Sequence, residues 1–336
     1  MSKYSETIYF IREQFPRKDF VSLHEPKFNG NEKSYLLETI DTTYVSSVGP
    51  FVDKFEEMMA YISGASKAVA VVSGTSGLQV ALRLAGVNNG DEVITQALTF
   101  VATVNAVLYN NARPIFIDVD LDTMGLSPLA VATFLDEFGE MRDGNCYNKK
   151  TNKKIAACMP MHTFGFPVHL EELIKVCGKW NIPMVEDAAE SLGSEYRGRP
   201  TGSFGKMGVF SFNGNKIITT SGGGALISND IKLIDRARFL STQAKDPSPH
   251  YEHSEIGYNY RMSNVLAGIG RGQLKVLNER VRSRRNVLEK YKKGLNVIDS
   301  IDWIPDVKGD YSNNWLSVFS INPKKTNMTA KTLINA

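Results

Sequence analysis

Between Ala68 and about Leu240 the chain alternates short apolar runs with amphipathic stretches, at strand length and helix length in turn. Ala68-Val69-Ala70-Val71-Val72 is unbroken apolar sequence, the pattern of a strand buried on both faces. Past Ser73-Gly74-Thr75-Ser76, the residues Leu78, Ala81 and Leu82 recur at helical spacing. Glu92-Val93-Ile94-Thr95 predicts the next strand, 101–109 a helix, and 114–119 a third strand. Ser127-Pro128 places a capping residue before a proline, which opens a helix. Segments 155–161, 182–186 and 207–212 predict further buried strands, with helices over 170–180 and 231–239. This alternation predicts an α/β domain on a mostly parallel sheet. Ligands of such sheets sit beyond the carboxyl ends of the strands, so the turns after Val72, Glu186 and Phe212 are where chemistry is to be sought.

Outside that core the pattern changes. Segment 142–154 is polar, with Gly144, Asn145, Asn148 and Asn152, and predicts an exposed hairpin-like insertion. From Ser263 to about Leu295 a long helical pattern rich in Arg, Lys and Glu is expected to link a large domain to a small one. Trp315-Leu316-Ser317-Val318-Phe319-Ser320 predicts a strand of the small domain, and Thr329 starts a helix. The expected division is a large domain over 1–250, including an N-terminal segment, and a linking helix with an incomplete small domain over 251–336.

Composition narrows the function classes. With 39 Lys+Arg against 36 Asp+Glu, the net charge of +3 gives no electrostatic reason for a nucleic-acid partner. The basic run from Arg280 to Arg285 has acidic neighbours and reads as a solvated helix face. Cys146, Cys158 and Cys177 are an odd set without CxxC spacing, so neither a disulfide framework nor a zinc site is expected, and a reducing cytoplasm suits them. His250 and His253 lack the companions of a metal site. The first fifteen residues mix Lys3, Glu6, Arg12 and Glu13 among apolar positions, unlike a signal peptide, and no stretch has the length of a membrane span.

Three segments carry candidate chemistry. A strand turning through Ser73-Gly74-Thr75-Ser76 into a helix offers N–H groups, hydroxyls and the helix dipole to an anion, although the same turn can be a simple helix cap. Asp187 closes an apolar strand, where a buried carboxylate is costly without a partner. A protonated ring nitrogen would supply a charge-assisted bond worth roughly 1.5–3 kcal/mol; capping the Ala188-Ala189 turn is the alternative. Glu190 lies on the same side of that turn. Lys216 follows Phe210-Ser211-Phe212 and precedes Gly222-Gly223-Gly224, where backbone must approach something closely. Its amine attacks an aldehyde once deprotonated, and Ser211 is placed to extend the anion cradle. Phe100 follows a strand end, where it either stacks on a flat heterocycle or packs in the core. An amine, a carboxylate and a phosphate cradle at strand ends together fit a site for pyridoxal 5'-phosphate.

The chain resembles the DegT/StrS family of pyridoxal-phosphate-dependent nucleotide-sugar aminotransferases. The resemblance runs from Leu23 to Tyr291 through Val45-Ser46-Ser47-Val48-Gly49, Gly90-Asp91-Glu92-Val93-Ile94, Glu186-Asp187-Ala188-Ala189-Glu190-Ser191-Leu192-Gly193, segment 210–220 and Gly257-Tyr258-Asn259-Tyr260-Arg261-Met262. Leu23-His24-Glu25-Pro26 is most similar to the branch of legionaminic-acid and related diamino-sugar pathways, which build surface polysaccharides such as O-antigen.

The resemblance implies fold type I of the aspartate-aminotransferase kind, with a seven-stranded, mostly parallel sheet, flanking helices and a smaller C-terminal α/β domain that continues past Ala336. It implies that Lys216 bonds the cofactor, Asp187 pairs its ring nitrogen, Phe100 stacks on the ring, and Gly74, Thr75, Ser76 and Ser211 hold the phosphate. Glu190 faces the cofactor where many members carry Gln or His. Asn259 reaches the phosphate of the neighbouring subunit's cofactor in a homodimer. The reaction implied is transfer of an amino group from glutamate to a 4-keto-6-deoxy nucleotide sugar derived from a UDP-N-acetylhexosamine. A sugar dehydratase or other lyase, which typically has His in place of Lys216, and a catalytically silent scaffold or regulator are the alternatives.

Overall fold

The computed structural model describes residues 5–16, 19–327 and 329–335. Seven strands among them are Lys67–Val71 (β1), Glu92–Gln96 (β2), Arg113–Ile117 (β3), Lys153–Met159 (β4), Val185–Asp187 (β5), Met207–Ser211 (β6) and Gly224–Ser228 (β7). They join in the spatial order β3-β2-β4-β5-β6-β7-β1, the β4–β5 seam being made by the parallel bridges Cys158–Met184 and Met161–Asp187. Pairing is parallel except at β7, which runs antiparallel to both β6 and β1.

The strands alternate faces with period two, and both faces are covered. Val69, Val209 and Leu226 pack with Leu78, Leu82, Val107 and Leu240 on one side. Ala68, Ala70, Phe210, Ala225 and Ile227 face the other way, against Phe51, Phe55, Met59 and Leu274. A third apolar cluster, with Ile94, Ile155 and Cys158, lies under the Pro128–Phe138 and Leu170–Lys179 helices. The unbroken apolar runs follow from this double burial.

Three expectations are corrected. The polar 142–154 segment is a hairpin, Gly139–Arg142 with Asn145–Asn148, but it extends the sheet beside the start of β4 and buries Cys146 and Asn148. The pattern from Ser263 to Leu295 is two helices, Asn264–Lys275 and Leu277–Gly294, parted at Val276 with φ −106° and ψ 8°. The break keeps Leu274, Leu277 and Val281 on one core. The strand expected over 315–320 is only Phe319–Ile321, paired with Ile301–Trp303, and Trp315 turns inward instead. Among the described residues no helix is long and apolar enough to cross a membrane.

Candidate active site

Because β7 returns antiparallel to β6, the loop over 212–223 begins and ends at the edge where β1 and β5 also finish. That edge gathers the candidate residues. The loop is tied to itself by Phe212 N–H to Gly223 O (2.9 Å) and Thr220 N–H to Phe212 O (3.0 Å). It is tied to the Asn264–Lys275 helix by Thr219 N–H to Gln273 Oε1 (3.3 Å). A Cβ on Gly224 would lie 2.7 Å from Gly74 N and from Ser73 C and O, so the glycine lets the loop pass directly beneath the helix that starts at Gly74.

Lys216 is 7% exposed. Its Nζ lies 3.4 Å from Glu190 Oε1, 4.4 Å from the centre of the Trp315 ring and 6.0 Å from that of Phe100. Trp315 is fixed by Nε1–H to Asn215 O (2.7 Å) and by its peptide N–H to Asn313 Oδ1 (2.9 Å). Asn313, fully buried, donates to Glu190 O and Leu192 O, both at 2.9 Å. Glu190 Oε2 accepts from Phe164 N–H at 2.8 Å. Burial raises the Glu190 carboxyl above the usual carboxylate range, against the charge of Lys216 and that N–H.

Asp187 ends β5 with both oxygens engaged: Thr103 donates its hydroxyl to Oδ2 at 2.7 Å, and Ala189 N–H reaches Oδ1 at 3.2 Å. Complete burial raises its carboxyl, and these two donors only partly offset the loss of water. The capping bond to Ala189 and a role toward a cation are therefore compatible. Next to it, buried Glu186 accepts from Gly202, Phe204 and Gly205 N–H at 2.6–2.7 Å and meets His162 Nε2 at 3.1 Å. That network holds the strand end in place.

The cradle is the first turn of the Gly74–Ala85 helix. Ser73 and Ser76 form a capping box, with Ser76 N–H to Ser73 Oγ (3.1 Å) and Ser76 hydroxyl to Ser73 O (2.8 Å). Ser76 is thus committed to the cap. The N–H groups of Gly74 and Thr75 have no acceptor among the described residues, and the hydroxyls of Thr75 and Ser211 have none either. Gly74 brings this turn against Ser211, whose Cβ would be 3.0 Å from an added Cβ.

Phe100 is 62% exposed beside this edge, which excludes the core role. Asn259 lies apart. It is exposed, its backbone bridges Thr242, and Tyr258 and Tyr260 stack at 4.8 Å on the other face of the segment. The following helix is capped by Ser263, not by Asn259.

These groups fit pyridoxal 5'-phosphate: free donors at a helix start for the phosphate, an exposed aromatic face, a buried carboxylate with no direct ion pair among the described residues, and a buried amine. Sequence reasoning missed Thr103, Asn313 and Trp315. Thr103 had a signal, since it falls three residues after Phe100 and shares its side of the helix. Trp315 is about a hundred residues from Lys216 and had none.

The chain matches the DegT/DnrJ/EryC1/StrS aminotransferase family over residues 26–336. It is 43% identical over 301 residues to EpsN of Bacillus subtilis, named as a pyridoxal phosphate-dependent aminotransferase, covering 90% of this chain and 75% of that one. It is 36% identical over 277 residues to the GDP-perosamine synthase of Escherichia coli O157:H7, covering 82% and 72%. The Helicobacter pylori aminotransferase PseC, involved in the biosynthesis of pseudoaminic acid, superposes with a TM-score of 0.82 at 26% identity over 93% of this chain and 80% of that one. The fold is that of the family, and the chain belongs to the DegT/DnrJ/EryC1/StrS aminotransferases.

Proposed function

We propose that this aminotransferase moves an amino group from glutamate to the C4 ketone of a 4-keto-6-deoxy nucleotide sugar, one derived from a UDP-N-acetylhexosamine, in a diamino-sugar pathway of the legionaminic-acid kind. The transferase class and the use of pyridoxal 5'-phosphate follow from family membership. The observation that carries the amino-transfer chemistry is the buried Lys216 amine between Glu190 and Trp315, at the edge where the free donors of Gly74 and Thr75 converge. Relatives named for sugar products, GDP-perosamine and pseudoaminic acid, support a nucleotide-sugar acceptor.

When bound, the cofactor supplies an aldehyde that carries nitrogen and a ring that accepts electron density. In this assignment Gly74, Thr75 and Ser211 hold its phosphate, with Ser76 setting the helix turn. Phe100 would cover a ring face, and Asp187 would pair the ring nitrogen, which would give this buried carboxylate a direct cationic partner. Lys216 would bond the cofactor's aldehyde, and its Nζ, when free, would be the group that accepts and returns the proton during transfer. The same Nζ would serve as proton carrier when the sugar is the acceptor. Glu190, protonated more readily than an exposed carboxyl, is a proton donor or acceptor within reach of that amine. Trp315 closes the amine off from water. Asn259 completes the phosphate site of a second copy in a homodimer. Incubation of the holoenzyme with glutamate and a panel of UDP- and GDP-linked 4-keto sugars, read by mass spectrometry, tests the assignment. A one-unit rise in mass with loss of the ketone identifies the acceptor, and a product lacking nitrogen overturns it.

A further inference from the structure

Lys216 also lines a cavity of about 540 Å³, whose walls come from the N-terminal segment, the Leu277–Gly294 helix and the Ile301–Trp303/Phe319–Ile321 ribbon. Trp303, Trp315 and Phe319 make apolar parts of the wall, and His24, Glu25, Lys27, Arg280 and Arg284 are among its polar residues. Both ring nitrogens of His24 are buried without a hydrogen-bond partner among the described residues. Arg284 is half-buried, and its guanidinium has no hydrogen bond or ion pair among the described residues. Burial alone lowers its basicity, with no carboxylate acting against it.

The neighbouring arginines are engaged elsewhere. Arg280, one turn earlier on the same helix face, donates to Lys27 O at 3.3 Å and to Asn29 and lies 3.3 Å from Glu279. Arg285 points elsewhere, donating to Ser312 O at 2.6 Å with its guanidinium 4.3 Å from the Tyr311 ring centre. Burying a guanidinium and an imidazole without partners is costly. A family-wide fold does not require it, since a Leu or Met at 284 would fill the same wall without that cost.

We propose that Arg284 and His24 form a subsite for a carboxylate of the amino donor, placed to hold that molecule while its amine engages the Lys216 end of the cavity. This rests on the aminotransferase assignment above. The guanidinium fork matches a carboxylate bidentately. His24 is held neutral at ordinary pH, its pKa lowered to about 4 by burial and then by the Arg284 and Lys216 charges, so it adds a hydrogen-bond donor and not a second charge. Lys27 and Glu25 also line the cavity but are exposed, so its half-buried wall presents, among the described residues, one unpaired cation, Arg284, and one neutral donor, a match for a monoanionic carboxylate rather than for the diphosphate of a nucleotide sugar.

The half-reactions separate the two possible sources of an anion. In the holoenzyme, Arg284→Gln raises the glutamate concentration for half-maximal first half-reaction by about tenfold or more, with Arg284→Lys between it and wild type. The keto-sugar concentration for half-maximal second half-reaction stays unchanged. Unaltered glutamate dependence overturns the proposal. A shift confined to the sugar half-reaction overturns it in favour of the substrate phosphates.

A second measurement does not depend on turnover or on tolerance of the variant. Succinate, which has the carboxylates but no amine, shifts the His24 ring resonances of wild-type holoenzyme and raises the pH at which they titrate. Resonances that ignore succinate at concentrations saturating for glutamate sink the subsite. If glutamate fails to react while succinate still moves His24, the donor assignment falls and the carboxylate subsite stands.

Discussion

An amine 3.4 Å from a buried carboxylate and 4.4 Å from an indole ring centre has little water around it, so its chemistry is set by a few side chains. Reduction of the holoenzyme with borohydride, followed by peptide mapping, should find the cofactor on Lys216, and recovery on any other lysine ends the assignment. Lys216→Ala should lower turnover by roughly 10²–10⁴-fold or more, the usual range for loss of a positioned proton carrier, while the protein still binds cofactor. Glu190 offers a test on the cofactor-free protein. Burial raises its carboxyl in the folded state, whereas in the unfolded chain it titrates near about 4.3. A raised folded pKa gives stability that is present below the unfolded value and is lost as pH rises through the folded one. Glu190→Gln should therefore gain stability relative to wild type as pH rises from about 4 toward neutrality. Urea unfolding at a series of pH values reads the difference. A wild-type advantage that grows with pH would mean that Lys216 outweighs burial at this carboxyl.

At the scale of elements, the site depends on how closely the loop over 212–223 passes the helix that starts at Gly74. The three atoms nearest a methyl on Gly224 would all be backbone, Gly74 N and Ser73 C and O at 2.7 Å, none of which can swing away. Gly224→Ala should cost about 1–3 kcal/mol or more through overpacking and loosen cofactor binding, because the cradle turn is what must move. Gly178, in the Leu170–Lys179 helix, is the control: an added Cβ there meets nothing within 4 Å. Gly178→Ala should stabilise by about 0.5–1 kcal/mol. Equal effects of the two substitutions in urea unfolding would refute the close-approach argument.

These elements also mark how far the sequence reads. The strands were legible because double burial writes unbroken apolar runs, and the helix starts because Ser73, Ser127 and Ser263 cap them. Lys216, Asp187, Glu190 and the cradle were legible because each sits where a strand pattern stops. The break at Val276 was hidden, since both helices keep the same periodicity across it. Asn313 and Trp315 were hidden because their roles exist only through contacts made across about a hundred residues.

For the molecule as a whole, the candidate site is open on the side of Phe100. Val101, Leu108, Tyr109 and Phe116 are each at least 50% exposed there, an apolar surface that suits a second copy of the chain. Asn259 is exposed and, among the described residues, bonded through its backbone alone; Ser263 caps the next helix. A side chain displayed in this way, opposite the face where Tyr258 and Tyr260 stack on each other, is poised to act outside its own chain. If each site is shared across a two-fold axis, a chain carrying Lys216→Ala still offers a sound Asn259, and a chain carrying Asn259→Ala a sound Lys216. Each variant alone should be inactive or nearly so. Mixing them after dissociation should restore activity, because a heterodimer holds one site with both residues intact and one with neither. Random pairing of equal amounts makes half the dimers mixed, so about a quarter of wild-type activity is expected. Sedimentation should show dimers throughout. A fully active monomer, or mixed dimers without recovery when Asn259→Ala alone is inactive, would place the Asn259 effect within its own chain and refute the shared site.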